Sequence, residues 1–387
     1  MGVNEQTPLW LDCDTGHDDA LAILLAGHSP EVRLLGISTV FGNASLKHTT
    51  YNTRAILQAI DRTDVPVYEG AQKPLLRDPL HAPAIHGESG LDGTTCLPEP
   101  IVPVMKDMSA IDAMYVSLSS EPVGTPWLVA TGSLTNVATL FKRHPDLASH
   151  LGGLSIMGGA VGGNFTSAPM GRVLGKGLRF GNHTATAEFN IYCDPEAAQS
   201  VFGNPVLAVK TVLVPLDLSH QFLATRAVQM GLLFGIGTPA HREPTSAAAS
   251  PIRRLYFEIL TFFAGSYAEV FGMTEGPPVH DPLAVAAAVR PDLFHCNVAG
   301  RKGPYEEERF QVSVVTEGEH GSSSDILNGP SQCGRTLIQP LPYGLPGTKV
   351  PRGCETQVLW GMIEACLRAV EERMQPRSHR HHASTKA

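Results

Sequence analysis

The stretch LWLDCDTGHDDALAILLAG, residues 9–27, places a group of aspartates between two apolar runs. The run that ends at Cys13 predicts a buried β-strand, and the run that begins at Ala20 predicts a helix. Between them, four carboxylates lie within eight positions: Asp12, Asp14, Asp18 and Asp19. Carboxylates this close repel one another, and burial raises the cost unless a cation or tight hydrogen bonds compensate. This strand–turn–helix unit therefore predicts both the start of the fold and a candidate site.

The alternation of short apolar runs and helical patterns continues through the first half of the chain. The pattern predicts strands at 8–13, 32–40, 65–68, 126–131 and 152–158, and helices at 20–27, 45–60 and 133–144. Continuous apolar strands that alternate with helices are typical of a parallel sheet covered on both faces. We therefore predict an α/β fold with an open, mostly parallel sheet and helices on both faces.

The second half of the chain is less regular. The pattern predicts helices at 251–271 and 355–372, and the strand-like runs 309–315 and 335–341 indicate a small antiparallel addition. The glycine-rich stretch before Asn182, residues 161–181, predicts a flexible loop or lid. No internal repeat or linker is visible in the sequence. We therefore predict a single domain over residues 1–376 and a disordered polar tail over 377–387.

The composition is that of a globular chain of enzyme size, with 387 residues, 43% apolar residues and a net charge of −8. No basic stripe points to a nucleic-acid partner, and no apolar run reaches the roughly 18–20 residues of a membrane span. The seven cysteines are scattered without a CxxC pair, so neither a zinc cage nor a disulfide framework is predicted. The first residues lack a secretory pattern, and we therefore expect a cytoplasmic protein.

Three short motifs follow predicted strands and are candidates for a ligand site. They are DCDTG (12–16), FGN (41–43) and TGS (131–133). In open parallel sheets, ligands bind at the carboxyl ends of the strands. We therefore expect these motifs to lie together at one edge of the sheet.

The aspartate cluster itself has three interpretations. Asp18 and Asp19 could cap the following helix, whose dipole favours carboxylates, but this leaves Asp12 and Asp14 unexplained. DCDTG also resembles the DxDxT motif of haloacid-dehalogenase phosphatases, although the phosphate-binding lysine and distal acidic pair have no convincing counterparts. The third interpretation is a site for a hard cation such as Ca2+, which takes about 6–8 oxygen ligands. We favour the cation, because its charge removes the repulsion.

Two later motifs carry further polar candidates. VHDP places His280 and Asp281 before a helical run; taken alone, Asp281 is more often a helix N-cap and His280 a hydrogen-bonded loop residue. AEFN places Glu188 and Asn190 two positions apart, on one face of an extended segment. A carboxylate and an amide side by side are suitable partners for sugar hydroxyls.

Together these motifs resemble the inosine–uridine-preferring nucleoside hydrolase family. DCDTGHDDA matches the family's N-terminal DxDxGxDDA hallmark, and further matches follow in the family's order: TVFGN, IHGESG, ATGSLTN, IMGG, GNHTATAEFNIYCDPEAA, LDLSH and VHDP. The resemblance implies a Rossmann-like α/β core, hydrolysis of ribonucleosides of the uridine or inosine type, and a homodimer or homotetramer. The absence of a GxGxxG motif argues against a dinucleotide cofactor.

The resemblance also implies roles for individual residues. It implies a Ca2+ site formed by Asp14, Asp19, the Thr131 main-chain carbonyl and Asp281. Asp14 would be the general base for a calcium-bound water, and His280 would protonate the departing base. The residues implied to bind the ribonucleoside are Asp18, Asn43, His86, Asn182, Glu188 and Asn190, with Tyr267 near the base and Asp12 orienting the loop. The position of His17 varies in the family, and His17 could tune the site or simply cap the loop.

Overall fold

The computed structural model describes residues 6–170, 172–173, 177–241, 249–298, 307–321 and 331–374. The strands are β1 (Thr7–Cys13), β2 (Val32–Thr39), β3 (Val67–Glu69), β4 (Trp127–Ala130), β5 (Gly153–Met157), β6 (Arg172–Val173), β7 (Gly177–Leu178), β8 (Thr211–Val214), β9 (Phe294–His295), β10 (Phe310–Val314), β11 (Thr336–Pro340) and β12 (Gly353–Cys354). Six of them form a parallel sheet in the order β3-β2-β1-β4-β5-β8. The predicted open parallel sheet is therefore confirmed.

Helices follow most of the sheet strands and cover both faces. They are α1 (Asp19–His28), α2 (Leu46–Ala59), α3 (Pro83–His86), α4 (Ala110–Ser119), α5 (Thr135–Arg143), α6 (Leu147–His150), α7 (Phe189–Cys193), α8 (Pro195–Phe202), α9 (Pro205–Ala208), α10 (Leu216–Ser219), α11 (Arg226–Phe234), α12 (Pro251–Phe271), α13 (Asp281–Val289) and α14 (Thr356–Met374). None of the helices in the described ranges is long and apolar enough to cross a membrane.

The apolar residues of β1 explain why helices pack on both faces of the central sheet. Leu9 and Leu11 lie in one core with residues of α1, α12, α13 and α14, whereas Trp10 lies in a second core with residues of α4, α5 and α8. Successive side chains of a strand point to opposite faces, so a continuous apolar strand places apolar groups on both. Helix α1 is buried along nearly its whole length, as expected for the almost wholly apolar run ALAILLAG.

The antiparallel addition consists of separate two-stranded ladders, β10–β11, β9–β12 and β6–β7. The predicted strands at 309–315 and 335–341 are β10 and β11. The segment around Thr348 connects them to the sheet, because it pairs with Phe310 of β10 while Lys349 pairs with Val212 of β8. Within the predicted loop of 161–181, the described residues include the short β6–β7 ladder.

Strand β8 at the edge of the sheet was not predicted. Its sequence is only TVLV, and a four-residue apolar run does not distinguish a strand from a buried turn or helix. The single domain over 1–376 stays a prediction. The tail over 377–387 lies outside the described residues.

Candidate active site

The order of the central sheet reverses at β1 and β4. The chain runs outward through β2 and β3 on one side and through β5 and β8 on the other. Such a switch point opens a crevice at the carboxyl ends of the two central strands. Asp14 follows β1 and Thr131 follows β4, and the Thr131 N–H donates to the Asp12 carbonyl at 2.8 Å. The topology therefore brings DCDTG and TGS together, as the motif positions predicted.

Asp12 lies behind this crevice at the end of β1. Its Oδ1 accepts hydrogen bonds from the hydroxyl of Ser38 and from Asn136 Nδ2, the latter at 2.8 Å. Burial raises the pKa of this carboxyl to about 7, against the effect of both hydrogen bonds. These contacts join the ends of β1 and β2 to α5, and the role of Asp12 in orienting the loop stays a prediction.

Asp14 and Asp19 are fully buried below the crevice and are held by main-chain and amide donors. Asp14 Oδ2 accepts from the Asn43 N–H at 2.8 Å, and Asp19 Oδ2 accepts from the Gly16 N–H at 2.8 Å. Asn43 Nδ2 also donates to Asp19 Oδ2 at 3.1 Å. A Cβ at Gly42 would lie 2.0 Å from Asp14 Oδ2, so the TVFGN motif needs a glycine beside this carboxylate.

Asp18 and Asp281 complete the acidic cluster from the first turns of α1 and α13. The Asp18 Oδ2 accepts from the His280 N–H at 3.1 Å, which ties the two helix starts together. Carboxylate oxygens of Asp18, Asp19 and Asp281 all lie within 4.8 Å of one another. This trio includes Asp18, which the resemblance assigns to the ribose and not to the metal.

The cluster is electrostatically frustrated without a cation. Burial, followed by the charge of Asp19, raises the pKa of Asp18 to about 7. The same causes raise the pKa of Asp14 well above its usual range, and burial with three neighbouring carboxylates does so for Asp281. Such raised pKa values show that the folded chain disfavours four charges here unless positive charge is added.

The donor set fits a hard cation. Asp14 Oδ1 is buried and has no hydrogen-bond partner among the described residues. An unpaired buried carboxylate oxygen is costly, and a cation would satisfy it. The nearby donors are carboxylates and the Thr131 carbonyl, which are oxygen ligands of the kind that Ca2+ prefers.

The polar side of the pocket is formed by the GN…AEFN segment. Asn190 Nδ2 donates to the Thr131 carbonyl at 2.8 Å, so the amide is joined to one predicted metal ligand. The Glu188 carboxylate caps α7 and accepts from the N–H groups of Asn190, Ile191 and Gly159 at 2.8–3.0 Å. Asn182 Oδ1 accepts from the Phe189 N–H at 2.8 Å. These groups are therefore fixed in place before a ligand binds.

A second part of the site is a row of three hydrogen-bonded side chains, Ser219, His280 and Tyr267, of which His280 and Tyr267 line the pocket. His280 Nδ1 lies 2.7 Å from Ser219 Oγ, and His280 Nε2 lies 2.8 Å from the Tyr267 hydroxyl. All three are buried, and burial lowers the pKa of His280 well below its usual range. Burial, followed by the charges of Asp18, Glu188 and Asp281, raises the pKa of Tyr267, so its hydroxyl stays protonated.

The pocket is lined by most of the predicted site residues. The predicted residues that line it are Asp18, Asn43, His86, Thr131, Asn182, Glu188, Asn190, Tyr267, His280 and Asp281. Asp14 and Asp19 do not line it and are connected to it through Asn43. The structure therefore brings the predicted set together in one place.

Several lining residues were not predicted. Phe263 and Phe271 of α12 add aromatic surface, and His183 and Ile85 lie beside predicted residues. Ser219 belongs to the LDLSH motif, but nothing in the sequence connects it to His280. For Phe263 and Phe271, a signal was available, because they lie four residues before and after Tyr267 and hence on the same helix face.

The chain is similar to known proteins over most of its length. A model of the inosine-uridine preferring nucleoside hydrolase family matches residues 9–360. The uridine nucleosidase of Saccharomyces cerevisiae is 40% identical over 321 residues, which cover 83% of this chain and 86% of that protein. The pyrimidine-specific ribonucleoside hydrolase RihA of Escherichia coli is 38% identical over 326 residues, which cover 83% and 88%. The structure of the purine-preferring ribonucleoside hydrolase from Gardnerella vaginalis superposes with a TM-score of 0.72 at 25% identity, covering 95% of this chain and 99% of that one.

The chain therefore belongs to the inosine-uridine preferring nucleoside hydrolase family. It is a hydrolase that acts on N-ribosyl nucleosides. The resemblance inferred from the motifs is confirmed, and it replaces the phosphatase hypothesis.

Proposed function

We propose that this hydrolase is Ca2+-dependent and cleaves the N-glycosidic bond of pyrimidine ribonucleosides, uridine foremost, to the free base and ribose. The observation that carries the proposal is the buried, unpaired Asp14 Oδ1 near three further carboxylates, of which Asp18 and Asp281 line the pocket. Uridine is placed first because the relatives at 40% and 38% identity are a uridine nucleosidase and a pyrimidine-specific hydrolase. Inosine is the second candidate, because a structural neighbour is purine-preferring.

The carboxylates support the sugar side of the reaction. Cleavage of an N-riboside passes through a ribosyl group with oxocarbenium character, and nearby negative charge stabilises it. Asp14, Asp19, Asp281 and the Thr131 carbonyl would hold Ca2+, with the Asp18 carboxylate close enough to join them. When bound, Ca2+ would lower the pKa of a coordinated water and position it. Asp14 would accept the proton of the attacking water as general base.

The ribose would be held by groups that the fold has already oriented. Asp18, Asn182, Glu188 and Asn190 line the pocket, and backbone or carbonyl contacts fix each of them. Preset donors and acceptors reduce the entropy lost on binding and align the C1′ carbon with the water. Asn43 connects the pocket to Asp14 and Asp19.

The departing base needs a proton, and the geometry modifies the predicted role of His280. Both of its ring nitrogens are already hydrogen-bonded, to Ser219 and to Tyr267. We infer that the Tyr267 hydroxyl gives its proton to the departing base, that His280 Nε2–H stabilises the resulting phenolate by a hydrogen bond, and that solvent returns the proton after the base has left. His280 would therefore act on the leaving group through Tyr267.

The proposal is tested by measuring ribose release from uridine, cytidine, inosine and xanthosine. The enzyme is assayed as purified, after exhaustive EDTA treatment, and after re-addition of Ca2+ or Mg2+. We expect uridine to be the best substrate, activity to vanish with EDTA, and Ca2+ to restore it better than Mg2+, which demands stricter octahedral geometry. Absence of ribose from every substrate would refute the hydrolase mechanism, and full activity after chelation would refute the metal.

A further inference from the structure

His17 belongs to the carboxylate turn but makes no hydrogen bond to its carboxylates. The side chain is fully buried, and its ring is stacked on those of Phe262 and Phe263, with both centroid distances at 5.2 Å. Its Nε2 lies 2.9 Å from the Asp92 carbonyl oxygen, and its Nδ1 lies 3.1 Å from His86 Nδ1. His17 is therefore a structural neighbour of the pocket residue His86 and not a member of the acidic cluster.

These two contacts determine where the protons are. A carbonyl oxygen can only accept, so His17 Nε2 carries the proton. A neutral imidazole has one N–H, and His17 Nδ1 is therefore an acceptor. The nitrogen facing it, His86 Nδ1, must be the donor. A neutral His86 that is protonated on Nδ1 has a bare Nε2.

The environment keeps both rings neutral. No described carboxylate is in hydrogen-bond contact with either ring, and the phenyl rings around His17 give a charge no solvation. Burial also lowers the pKa of His86 well below its usual range. The main-chain N–H of His17 also points at His86 Nδ1, but at 3.5 Å it is too long to reverse the assignment.

The unprotonated Nε2 of His86 is available to accept a hydrogen bond from a ligand. His86 is buried and lines the pocket together with Ile85 and Phe263. Its Nε2 makes no hydrogen bond to the described residues. An apolar, aromatic surround with one acceptor suits a nucleobase more than a ribose.

We propose that His17 is a positioning residue that fixes the tautomer of His86, so that His86 Nε2 accepts a hydrogen bond from a ring N–H of the leaving base. The inference rests on the proposed function and names the base that the site takes. Uracil carries N3–H as a donor, whereas cytosine presents a bare N3 at the same place. Two facing lone pairs repel, and the unmade hydrogen bond leaves a buried polar group unsatisfied. The tautomer therefore selects uridine over cytidine.

The first test is spectroscopic and needs no activity. Long-range proton–nitrogen spectra of [15N]histidine-labelled full-length enzyme report which ring nitrogen of each histidine is protonated. The His86 signals are assigned by their loss in His86→Gln. We expect Nδ1 protonation in the wild type and a shift toward Nε2 protonation in His17→Phe, where the main-chain N–H at position 17 is the remaining neighbour of Nδ1. Nε2 protonation of His86 in the wild type would overturn the proposal.

The second test is kinetic and compares ratios of kcat/KM within one enzyme. Uridine is compared with cytidine and with 3-methyluridine, in which a methyl group replaces N3–H. We expect the wild type to favour uridine over each by at least roughly tenfold, about the value of one buried hydrogen bond. His17→Phe should reduce the uridine-to-cytidine ratio by about the same factor.

Phe262→Leu is the matched control, because it removes a stacked ring from His17 but leaves the hydrogen bond between His17 and His86 in place. Its substrate ratios should equal those of the wild type. An unchanged ratio in His17→Phe, or a shifted ratio in Phe262→Leu, would contradict a tautomeric role. Absence of ribose release by the wild type would refute the proposed function alone, since the spectroscopic test would still decide the tautomer.

Discussion

Two parts of the site are built by different kinds of contact. The carboxylate side consists of Asp14, Asp18, Asp19 and Asp281, and the base side consists of His17, His86, Ser219, Tyr267 and His280. On the carboxylate side, main-chain N–H groups hold the key oxygens, as the Asn43 and Gly16 amides do for Asp14 and Asp19. On the base side, side chains hold one another, as in the line Tyr267–His280–Ser219 and the pair His17–His86. The first arrangement depends on the course of the backbone, and the second depends on residue identity.

This difference implies that the carboxylate side serves the hydrolytic step and the base side serves substrate specificity. A carboxylate fixed by backbone donors keeps its place when neighbouring side chains change, so the hydrolytic side suits a step that every substrate shares. In a row of side-chain hydrogen bonds, replacing one residue changes the hydrogen bonds of its neighbours. Single substitutions on the base side can therefore alter substrate specificity. We therefore expect substitutions on the carboxylate side to abolish turnover of every substrate. Substitutions on the base side should instead change the relative rates at which different substrates are hydrolysed.

The largest expected effect is that of Asp14→Asn. Asparagine keeps the size of the side chain but removes the base and a metal charge, so kcat for every riboside should fall by roughly 10²–10⁴. The measurement is ribose release from uridine and inosine at saturating Ca2+. Asp64→Asn, at an exposed carboxylate that pairs with Arg62, is the control and should retain wild-type turnover. A loss confined to one substrate would break the proposed division between the two sides.

The second prediction concerns the pH dependence of stabilisation by Ca2+. Burial and neighbouring charge raise the pKa of Asp18 from 3.8 to about 7. A carboxyl whose pKa is higher in the folded state contributes stability that is present at low pH and is lost as the pH rises through the folded value. Bound Ca2+ should offset that loss, so the difference in Tm between Ca2+-loaded and EDTA-treated protein should be small near pH 4 and grow toward pH 7.

Taking the difference in Tm between Ca2+-loaded and EDTA-treated protein removes the contribution of the buried histidines to the pH dependence of stability. Their pKa values are lowered on folding, for example to about 4 for His17, and they favour the folded state as the pH rises through that range in both samples. The measurement is calorimetry across the pH series, with Asp14→Asn as the variant that should bind Ca2+ weakly. An equal Ca2+ effect at pH 4 and pH 7 would mean that these carboxyls do not titrate against the metal.

The two sides also differ in how far the sequence could predict them. The carboxylate side follows from topology, since Asp14 and Thr131 end neighbouring central strands and must meet. The base side depends on contacts that no local pattern encodes. Helix α12 was predicted with its observed bounds, 251–271, yet the bond from Tyr267 to His280 spans a loop, and Ser219 lies 61 positions before His280. The sequence does not indicate the role of His17, because its partner, His86, is 69 positions away.

Tyr267→Phe is expected to have a smaller effect that depends on the leaving group. Removing the hydroxyl leaves the base without its proton donor, and kcat for uridine should fall by about 10²-fold. p-Nitrophenyl riboside, whose leaving group needs no proton, should be cleaved at nearly the wild-type rate. Tyr256→Phe is the matched control, because that buried hydroxyl of the same helix donates to the Ala20 carbonyl and does not line the pocket. An equal loss on both substrates would place Tyr267 in general positioning instead of proton transfer.

The smallest expected effect is that of Ser219→Ala, which acts only through His280. Loss of one buried hydrogen bond is worth about 1 kcal/mol, and kcat for uridine should therefore fall by roughly three- to tenfold. Because Ser219 Oγ contacts His280 Nδ1 and does not line the pocket, KM should change little while the rate on p-nitrophenyl riboside stays constant. Ser155→Ala removes a comparable buried hydroxyl, which donates to the Ala284 carbonyl at 2.7 Å, and should leave both rates unchanged. If Ser219→Ala lowered the rates on uridine and on p-nitrophenyl riboside equally, Ser219 would contribute to packing and not to activation of the leaving group. The proposed difference between the base side and the carboxylate side would then be contradicted.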